Sequence, residues 1–182
     1  MSNGDDATAR FAVVYNEHAV ALMGYALRRT HSVEDAVDVV AEVFTTAWRR
    51  IAEMPSGSST RPWLFGVARN VLLNDRRSSR RRRALVERLH NAVVVATPDL
   101  QETTTETIVV QRALAQLSPE DQELITLTCW EGLSPTEIAI ALHMPAGTVR
   151  SRLHRARQSL KATLTSQAPN ASKTRHETET TR

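Results

Sequence analysis

Residues 134–157, SPTEIAIALHMPAGTVRSRLHRAR, predict two short helices joined by a tight turn. Ser134, Pro135 and Glu137 are typical of a helix start: a capping hydroxyl, a proline in the first helical position and an acid three residues after the cap. Pro145 disfavours helical geometry in the residue before it, so the first helix ends just ahead of this proline. These features together indicate a helix-turn-helix, a motif that places its second helix in the major groove of DNA.

The second of these helices has two contrasting faces. Val149, Leu153, Ala156 and Leu160 recur at three- and four-residue spacing and predict an inward apolar face. The rest of the helix is basic, and no acid occurs between Pro145 and Lys161. The alternative to DNA binding is a helical hairpin with a solvated basic face, but the capping, the turn and the charge asymmetry agree on DNA. The outer face of the second helix carries Arg150, Arg152, Arg155, Arg157 and Lys161.

Charge is unevenly distributed along the 182 residues, whose net charge is only +3. Residues 66–88 hold eight arginines against two acids, and residues 99–123 hold six acids against one arginine. Local basic segments matter more to a polyanion than the net charge does. Cys129 is the single cysteine, so an intrachain disulfide is excluded, and its apolar context predicts a small buried side chain.

No apolar run approaches the ~18–20 residues that span a bilayer, and the N-terminal MSNGDDATAR lacks the basic and apolar parts of a signal peptide. We therefore expect no membrane insertion and a cytoplasmic location.

Helical periodicity extends along most of the chain, and no useful stretch alternates with period two. The first helix is predicted over 6–29. The second is predicted to be capped by Ser32, with Asp35 completing the capping pattern, and to end near residue 53, with a broad apolar face that includes Val33, Val37 and Trp48. Ser118 is predicted to cap a later helix that ends at Gly132. MPSGSSTRP, residues 54–62, predicts an irregular exposed loop in which Thr60 caps the next helix. The fold class expected is all-α, with two small helical domains joined by a flexible linker. The predicted limits are 6–83 for the first domain, 84–107 for the linker, 108–164 for the second domain and 165–182 for a disordered tail.

Two blocks of sequence carry a family resemblance. DVVAEVFTTAW at 38–48 and RPWLFGVARNVLLNDRR at 61–77 resemble region 2 of a bacterial sigma factor. LSPEDQELITL at 117–127 and the helix-turn-helix resemble region 4 of the same family. The similarity covers residues 6–164 and is greatest to the small extracytoplasmic-function (ECF) type of the sigma-70 family, which has only these two regions.

The resemblance implies a transcription initiation factor without catalytic chemistry, cofactor or metal. It would bind core RNA polymerase, read a −35 promoter element through the helix-turn-helix, and help to open a −10 element through region 2. The residues implied in −35 contacts are Thr148, Arg150, Ser151, Arg152, His154, Arg155 and Arg157. The residues implied in −10 contacts are Trp63, Arg69, Asn70, Asn74, Arg76 and Arg77, and those implied in polymerase docking are Asp38, Val40, Glu42, Val43 and Phe44. The loop at 54–61 would trap a flipped base.

For Val40, Phe44 and Trp63 the alternative role is packing in the core of the first domain. The implied partners are core polymerase, promoter DNA and an anti-sigma factor, with a monomer when free. The chain departs from the family at His143, which replaces a turn glycine, and at Ala41, where glutamine is usual.

Two further functions compete with this interpretation. A stand-alone helix-turn-helix regulator would need a dimer interface or a ligand pocket, and neither is evident in the sequence. A nuclease would need clustered carboxylates for metal or acid–base work. Asp35, Asp38 and Glu42 share one helical face, but a solvated or docking face explains them better.

Overall fold

The computed structural model describes residues 2–89 and 105–167, and gives only the backbone for residues 2–4, 76–89, 105–108 and 167. The described residues form helices and connecting turns, without strands, which confirms the all-α prediction. The helices are α1 (Ser2–Leu27), α2 (Val33–Arg49), α3 (Thr60–Leu89), α4 (Thr105–Ala115), α5 (Pro119–Cys129), α6 (Pro135–Leu142) and α7 (Ala146–Gln167), with a short 3-10 turn at Gly57–Ser59. Residues 90–104 of the predicted linker and 168–182 of the predicted tail lie outside the described residues.

The chain divides into two compact units. Helices α1, α2 and α3 pack together in the first, around buried side chains that include Leu22, Tyr25, Val43 and Phe65. The rings of Tyr25 and Phe65 meet edge to face, with their centroids 5.2 Å apart. Ser32 caps α2 as predicted, since its hydroxyl accepts a hydrogen bond from the Asp35 amide at 3.0 Å.

Helix α2 buries a narrower face than its sequence predicts. Val33, Val37 and Trp48 are exposed, although the apolar pattern placed them inside. Apolar residues cover too wide an arc of this helix for α1 and α3 to bury all of them. The buried arc contains Ala36, Val39, Val40, Val43, Phe44 and Ala47.

The predicted cap at Thr60 is wrong. Thr60 is itself helical, and its hydroxyl donates to the Pro55 carbonyl at 2.8 Å instead of accepting from the start of α3. Helix α3 also continues to Leu89, beyond the predicted domain limit at residue 83.

In the second unit, α7 packs against α4 and α5. Ser118 caps α5 as predicted, and Gly132 beyond the helix has φ +64°, a backbone conformation that favours glycine. Cys129 is exposed, so its predicted burial is wrong. The buried face of α5 presents Leu124, Ile125 and Leu127, and Cys129 in the last turn lies outside it.

Candidate nucleic-acid interface

Residues 134–167 form the predicted helix-turn-helix. A reciprocal capping box starts α6: the Glu137 amide donates to the Ser134 hydroxyl at 3.3 Å, and the Ser134 amide donates to the Glu137 carboxylate at 2.8 Å. Helix α7 begins directly after the turn, at Ala146. The motif predicted from sequence is therefore present.

The turn itself is a Schellman motif. The Met144 amide donates to the Ala139 carbonyl at 3.0 Å, and the His143 amide donates to the Ile140 carbonyl at 3.4 Å. His143 occupies the left-handed position with φ 52°, where glycine is the usual residue. The turn therefore keeps its geometry although a histidine replaces the glycine.

Helix α7 buries Val149, Leu153 and Ala156 as predicted, whereas Leu160 is only half-buried. Its opposite face is cationic and free of acids. Thr148, Arg150, Ser151, His154, Arg155 and Arg157 are all exposed on it. The Ser151 hydroxyl is held by the Thr148 carbonyl at 3.0 Å, and the His154 ring lies 3.0 Å from the Gln158 amide.

Arg152 differs from the other arginines of α7 because carboxylates of α5 hold it. Its Nε and Nη2 both lie 2.8 Å from one carboxylate oxygen of Asp121, and Nη2 is 3.9 Å from Glu120. The Arg152 and Asp121 side chains are 24% and 28% exposed. The other oxygen of Asp121 accepts from the Ser118 hydroxyl at 2.9 Å. The guanidinium thus links α7 to the capped start of α5.

The pKa of Asp121 reflects this arrangement. Partial burial acts to raise it, but hydrogen bonds from Arg152 and Ser118 and the charges of Arg152 and Arg155 hold the pKa below its ordinary value.

In the first unit, two predicted sets of residues line one groove. Asn70 and Asn74 of α3 face Asp38 and Glu42 of α2 across an open groove of about 670 Å³. All four side chains are exposed. The sequence assigned the amides to DNA and the acids to polymerase, and their spatial proximity was not predicted.

The remaining residues predicted to contact the −10 element differ in accessibility. Trp63 is half-buried, and the Arg50 guanidinium lies 5.7 Å from the centre of its ring. Arg69 is also half-buried. The side chains of Arg76 and Arg77 lie outside the described residues.

The predicted docking set on α2 divides into surface and core. Asp38 and Glu42 are exposed, whereas Val40, Val43 and Phe44 are buried between the helices of the first unit. The assignment of these three apolar residues to an intermolecular contact is corrected on this ground, because a buried side chain offers no surface to a partner. Val40 and Phe44 instead pack in the core of the first unit, which was the alternative role given for them.

An aromatic cluster on α1 and α2 was missed by sequence reasoning. The ring of Phe11 lies 5.3 Å from that of Trp48, and the ring of Tyr15 lies 4.7 Å from that of Phe44. Tyr15 is 47% exposed and Trp48 is 44% exposed, so this cluster reaches the surface. The width of the apolar arc on α2 was the available signal, since a three-helix unit leaves part of such an arc uncovered.

Metal binding and membrane insertion are two other functions that the described side chains bear on. Among the residues that the structure describes, no group of three or more His, Cys, Asp or Glu side chains is placed to hold a metal ion. Within the same ranges, every helix is too short or too polar to cross a bilayer.

Comparison with known proteins gives the chain its family. The family model for Sigma-70 region 2 matches residues 14–82, and the model for Sigma-70, region 4 matches residues 108–160. The ECF RNA polymerase sigma factor SigL of Mycobacterium tuberculosis is 38% identical over 160 residues, which cover 86% of this chain and 89% of the relative. The chain belongs to the ECF subfamily of the sigma-70 family.

Other sigma factors agree with this assignment. The RNA polymerase sigma factor YlaC of Bacillus subtilis is 28% identical over 156 residues, which cover 84% of this chain and 90% of the relative. The sigma factor RpoE of Bartonella quintana, solved in complex with the anti-sigma factor NepR, is 26% identical with a TM-score of 0.58 and covers 88% of this chain and 97% of its own. CnrH, solved with the cytosolic domain of CnrY, shares the fold with a TM-score of 0.60 at 24% identity, over 88% of this chain and 90% of its own.

As an ECF sigma factor, the chain is a promoter-specific transcription initiation factor and not an enzyme. The two family matches also decide against the stand-alone regulator, because region 2 accompanies region 4 in one chain.

Proposed function

We propose that this ECF sigma factor divides promoter recognition between its two units, with α7 reading the −35 duplex and α3 with the 54–61 loop holding the opened −10 strand. The observation that carries this proposal is the exposed, acid-free cationic face of α7, presented by a capped helix-turn-helix. The corresponding limits are 6–83 for region 2 and 108–164 for region 4, with 84–107 as linker and 165–182 as tail.

On α7, exposure selects among the candidates. Arg150 and Arg155 are exposed and suit guanine edges, whose two acceptors match a guanidinium. Thr148, Ser151, His154 and Arg157 are also exposed and suit phosphate or base-edge contacts. Arg152 acts mainly through Asp121, because its donors on that side are already committed.

On α3, Asn70 and Asn74 are the best-placed residues for the unpaired strand. Their amides are exposed one helical turn apart, where each offers both donors and acceptors to base edges. Trp63 presents part of a ring for stacking, an interaction that tolerates any base. Arg69 has only part of its side chain available for a phosphate, and Arg76 and Arg77 complete the proposed set.

Docking on core polymerase is assigned to the exposed side of α2. Asp38 and Glu42 supply negative charge, and Val37 and Trp48 supply uncovered apolar surface on the same helix. A surface that mixes apolar area with charge is typical of transient protein interfaces. Since the similar sigma factor RpoE of Bartonella quintana was solved in complex with the anti-sigma factor NepR, we also propose that an anti-sigma factor holds this chain inactive. Outside these complexes the chain is a monomer, and its site of action is the cytoplasm, where its polymerase partner works.

Run-off transcription with purified core polymerase on fragmented DNA from the source genome tests the function as a whole. We expect discrete transcripts that depend on the protein. If no transcripts appear and the protein instead binds a palindromic duplex unaided, the proposal is wrong.

The DNA assignment is tested by Arg155→Ala, with Arg112→Ala on α4 as a control that removes an equally exposed arginine. We expect Arg155→Ala to cost about 1–3 kcal/mol of promoter affinity if the lost contact is to a base, and about one unit of salt slope if it is to a phosphate. If Arg155→Ala binds promoter DNA with the same affinity and the same dependence on salt concentration as Arg112→Ala, Arg155 is excluded from the interface.

The docking assignment is tested by Glu42→Lys, with Glu17→Lys on α1 as the charge-matched control. Reversal of a charge at an interface places like charges together, so we expect the affinity for core polymerase to fall about tenfold or more. The Glu17 variant should bind core as the wild type does. Unchanged core binding by the Glu42 variant would exclude Glu42 from the docking surface.

A further inference from the structure

Arg10 of α1 is bonded to the segment that connects α2 to α3. Its Nη1 donates to the Ile51 carbonyl at 3.1 Å. Its Nη2 donates to the Met54 carbonyl, to the Pro55 carbonyl at 3.3 Å and to the Ser56 hydroxyl at 3.2 Å. One guanidinium therefore spans the first part of the loop that precedes α3.

The backbone geometry explains why these carbonyls need a side-chain donor. After α2 ends, amides of the turn take the carbonyls of Thr46, Trp48 and Arg50. The carbonyls of Ile51 and Met54 lie beyond the end of α2, where the chain no longer supplies the amides that a continuing helix would. A guanidinium suits these carbonyls because it offers several N–H donors in a fixed fork.

The opposite side of the loop is also fixed. The Thr60 hydroxyl donates to the same Pro55 carbonyl at 2.8 Å, and both Thr60 and Met54 are buried. Between them, Ser56, Gly57 and Ser58 are exposed. The loop thus has an anchored base and a tip of small residues that faces solvent.

We propose that Arg10 is a positioning residue for −10 recognition: it fixes the base of the 54–61 loop so that the exposed tip is presented to the unpaired base in one conformation. The inference rests on the proposed role of this loop in capturing a −10 base. A loop that is ordered before binding spares the complex the entropy of ordering it. A mobile loop would still allow polymerase docking and −35 binding, since neither uses the tip.

The test replaces Arg10 by Gln, which removes the charge and the fork of donors. Arg112→Gln is the matched control, because Arg112 is an exposed arginine in the last turn of α4. Holoenzymes made with each variant transcribe a library of promoters randomised in the −10 element, while −35 duplex affinity and core affinity are measured separately. Amide hydrogen exchange of residues 51–60 is followed in the full chain.

We expect Arg10→Gln to reduce discrimination among −10 bases about tenfold, as the net loss of one or two hydrogen bonds would. Exchange in the loop should accelerate to a similar degree, and core and −35 affinities should not change. Arg112→Gln should match the wild type in all four measurements. If Arg10→Gln fails to fold, Arg10→Lys keeps the charge without the fork and should show the same pattern to a smaller extent.

Folded Arg10 variants with wild-type base preference and wild-type exchange would overturn the inference. Ser58→Asp separates that result from failure of the proposed function, because a carboxylate at the tip repels DNA whatever holds the base of the loop. If Ser58→Asp impairs −10 selection and the Arg10 variants do not, the loop function stands and the role of Arg10 is wrong. If Ser58→Asp has no effect either, the loop does not touch the −10 element.

Discussion

Replacing Arg152 by alanine should destabilise the second unit, because it removes the link between α7 and the start of α5. Two N–H groups of Arg152 lie 2.8 Å from one oxygen of Asp121. With about a quarter of each side chain exposed, the pair lies between a surface ion pair, worth ~0–1 kcal/mol, and a buried pair, whose disruption costs ~3–5 kcal/mol. We therefore expect Arg152→Ala to lower the free energy of unfolding by about 1–2 kcal/mol. For a unit of this size, each kcal/mol lowers Tm by ~4–8 °C.

A double-mutant cycle with Asp121→Asn measures the coupling. Trp130 follows α5 as its C-cap residue in the second unit. Replacing the other two tryptophans by Trp48→Phe and Trp63→Phe therefore makes fluorescence report the second unit. We expect a coupling free energy of about 1 kcal/mol at pH 7. The Asp121 pKa is lowered in the folded state, so this stabilisation is complete above pH ~4 and declines as the pH falls through the folded value.

The same variants decide how Arg152 affects DNA. If it acts by positioning α7, Asp121→Asn should weaken −35 binding as Arg152→Ala does, and the double variant should be no worse than either. If instead Arg152→Ala weakens binding while Asp121→Asn leaves it unchanged, and the two show no coupling in stability, Arg152 contacts DNA directly and the positioning argument is refuted.

Three further predictions concern the backbone and His18. Gly132→Ala should cost about 1 kcal/mol by urea unfolding, because the backbone there has φ +64°. At Gly147 in α7, an added Cβ would meet no atom within 4 Å, so Gly147→Ala should instead stabilise the protein by about 0.5 kcal/mol. Equal effects at the two sites would contradict the strain argument. His143→Gly should stabilise by about 1 kcal/mol, since a left-handed φ of 52° is unfavourable for histidine, and a loss of stability would show that the ring makes compensating contacts. His18 has a pKa lowered by burial, with Glu17 raising it and Arg61 lowering it further. The unfolded chain therefore binds more protons below pH ~6.5 and stability falls as the pH is lowered through that range, a dependence that His18→Gln should remove from pH-dependent melting curves.

Local signals in the sequence determined most of the helix boundaries. Ser32, Ser118 and Ser134 were predicted as caps and act as caps. The bonds involved join residues three apart, so the chain supplies both partners within one turn and needs no tertiary contact. The all-α class and the helix-turn-helix followed from the same short-range regularities.

Tertiary structure decided which side chains remain available to partners. Val40, Val43 and Phe44 share their apolar character with the exposed Val37 and Trp48, and only the packing of α1 and α3 on α2 separates them. The sequence shows the width of an apolar arc but not how much of it neighbouring helices will cover.

Tertiary structure also determined which side chains bond to residues far away in the sequence. Arg152 binds Asp121 across 31 residues, and Arg10 binds the loop after α2 across 41 to 46 residues. A run of arginines in α7 gives no sign that one of them is held by an acid on another helix. The sequence thus determined local conformation and family, because these depend on neighbours in the chain. Whether a charged side chain is available to a ligand or is bound by another part of the protein depended on which surfaces packing brings together.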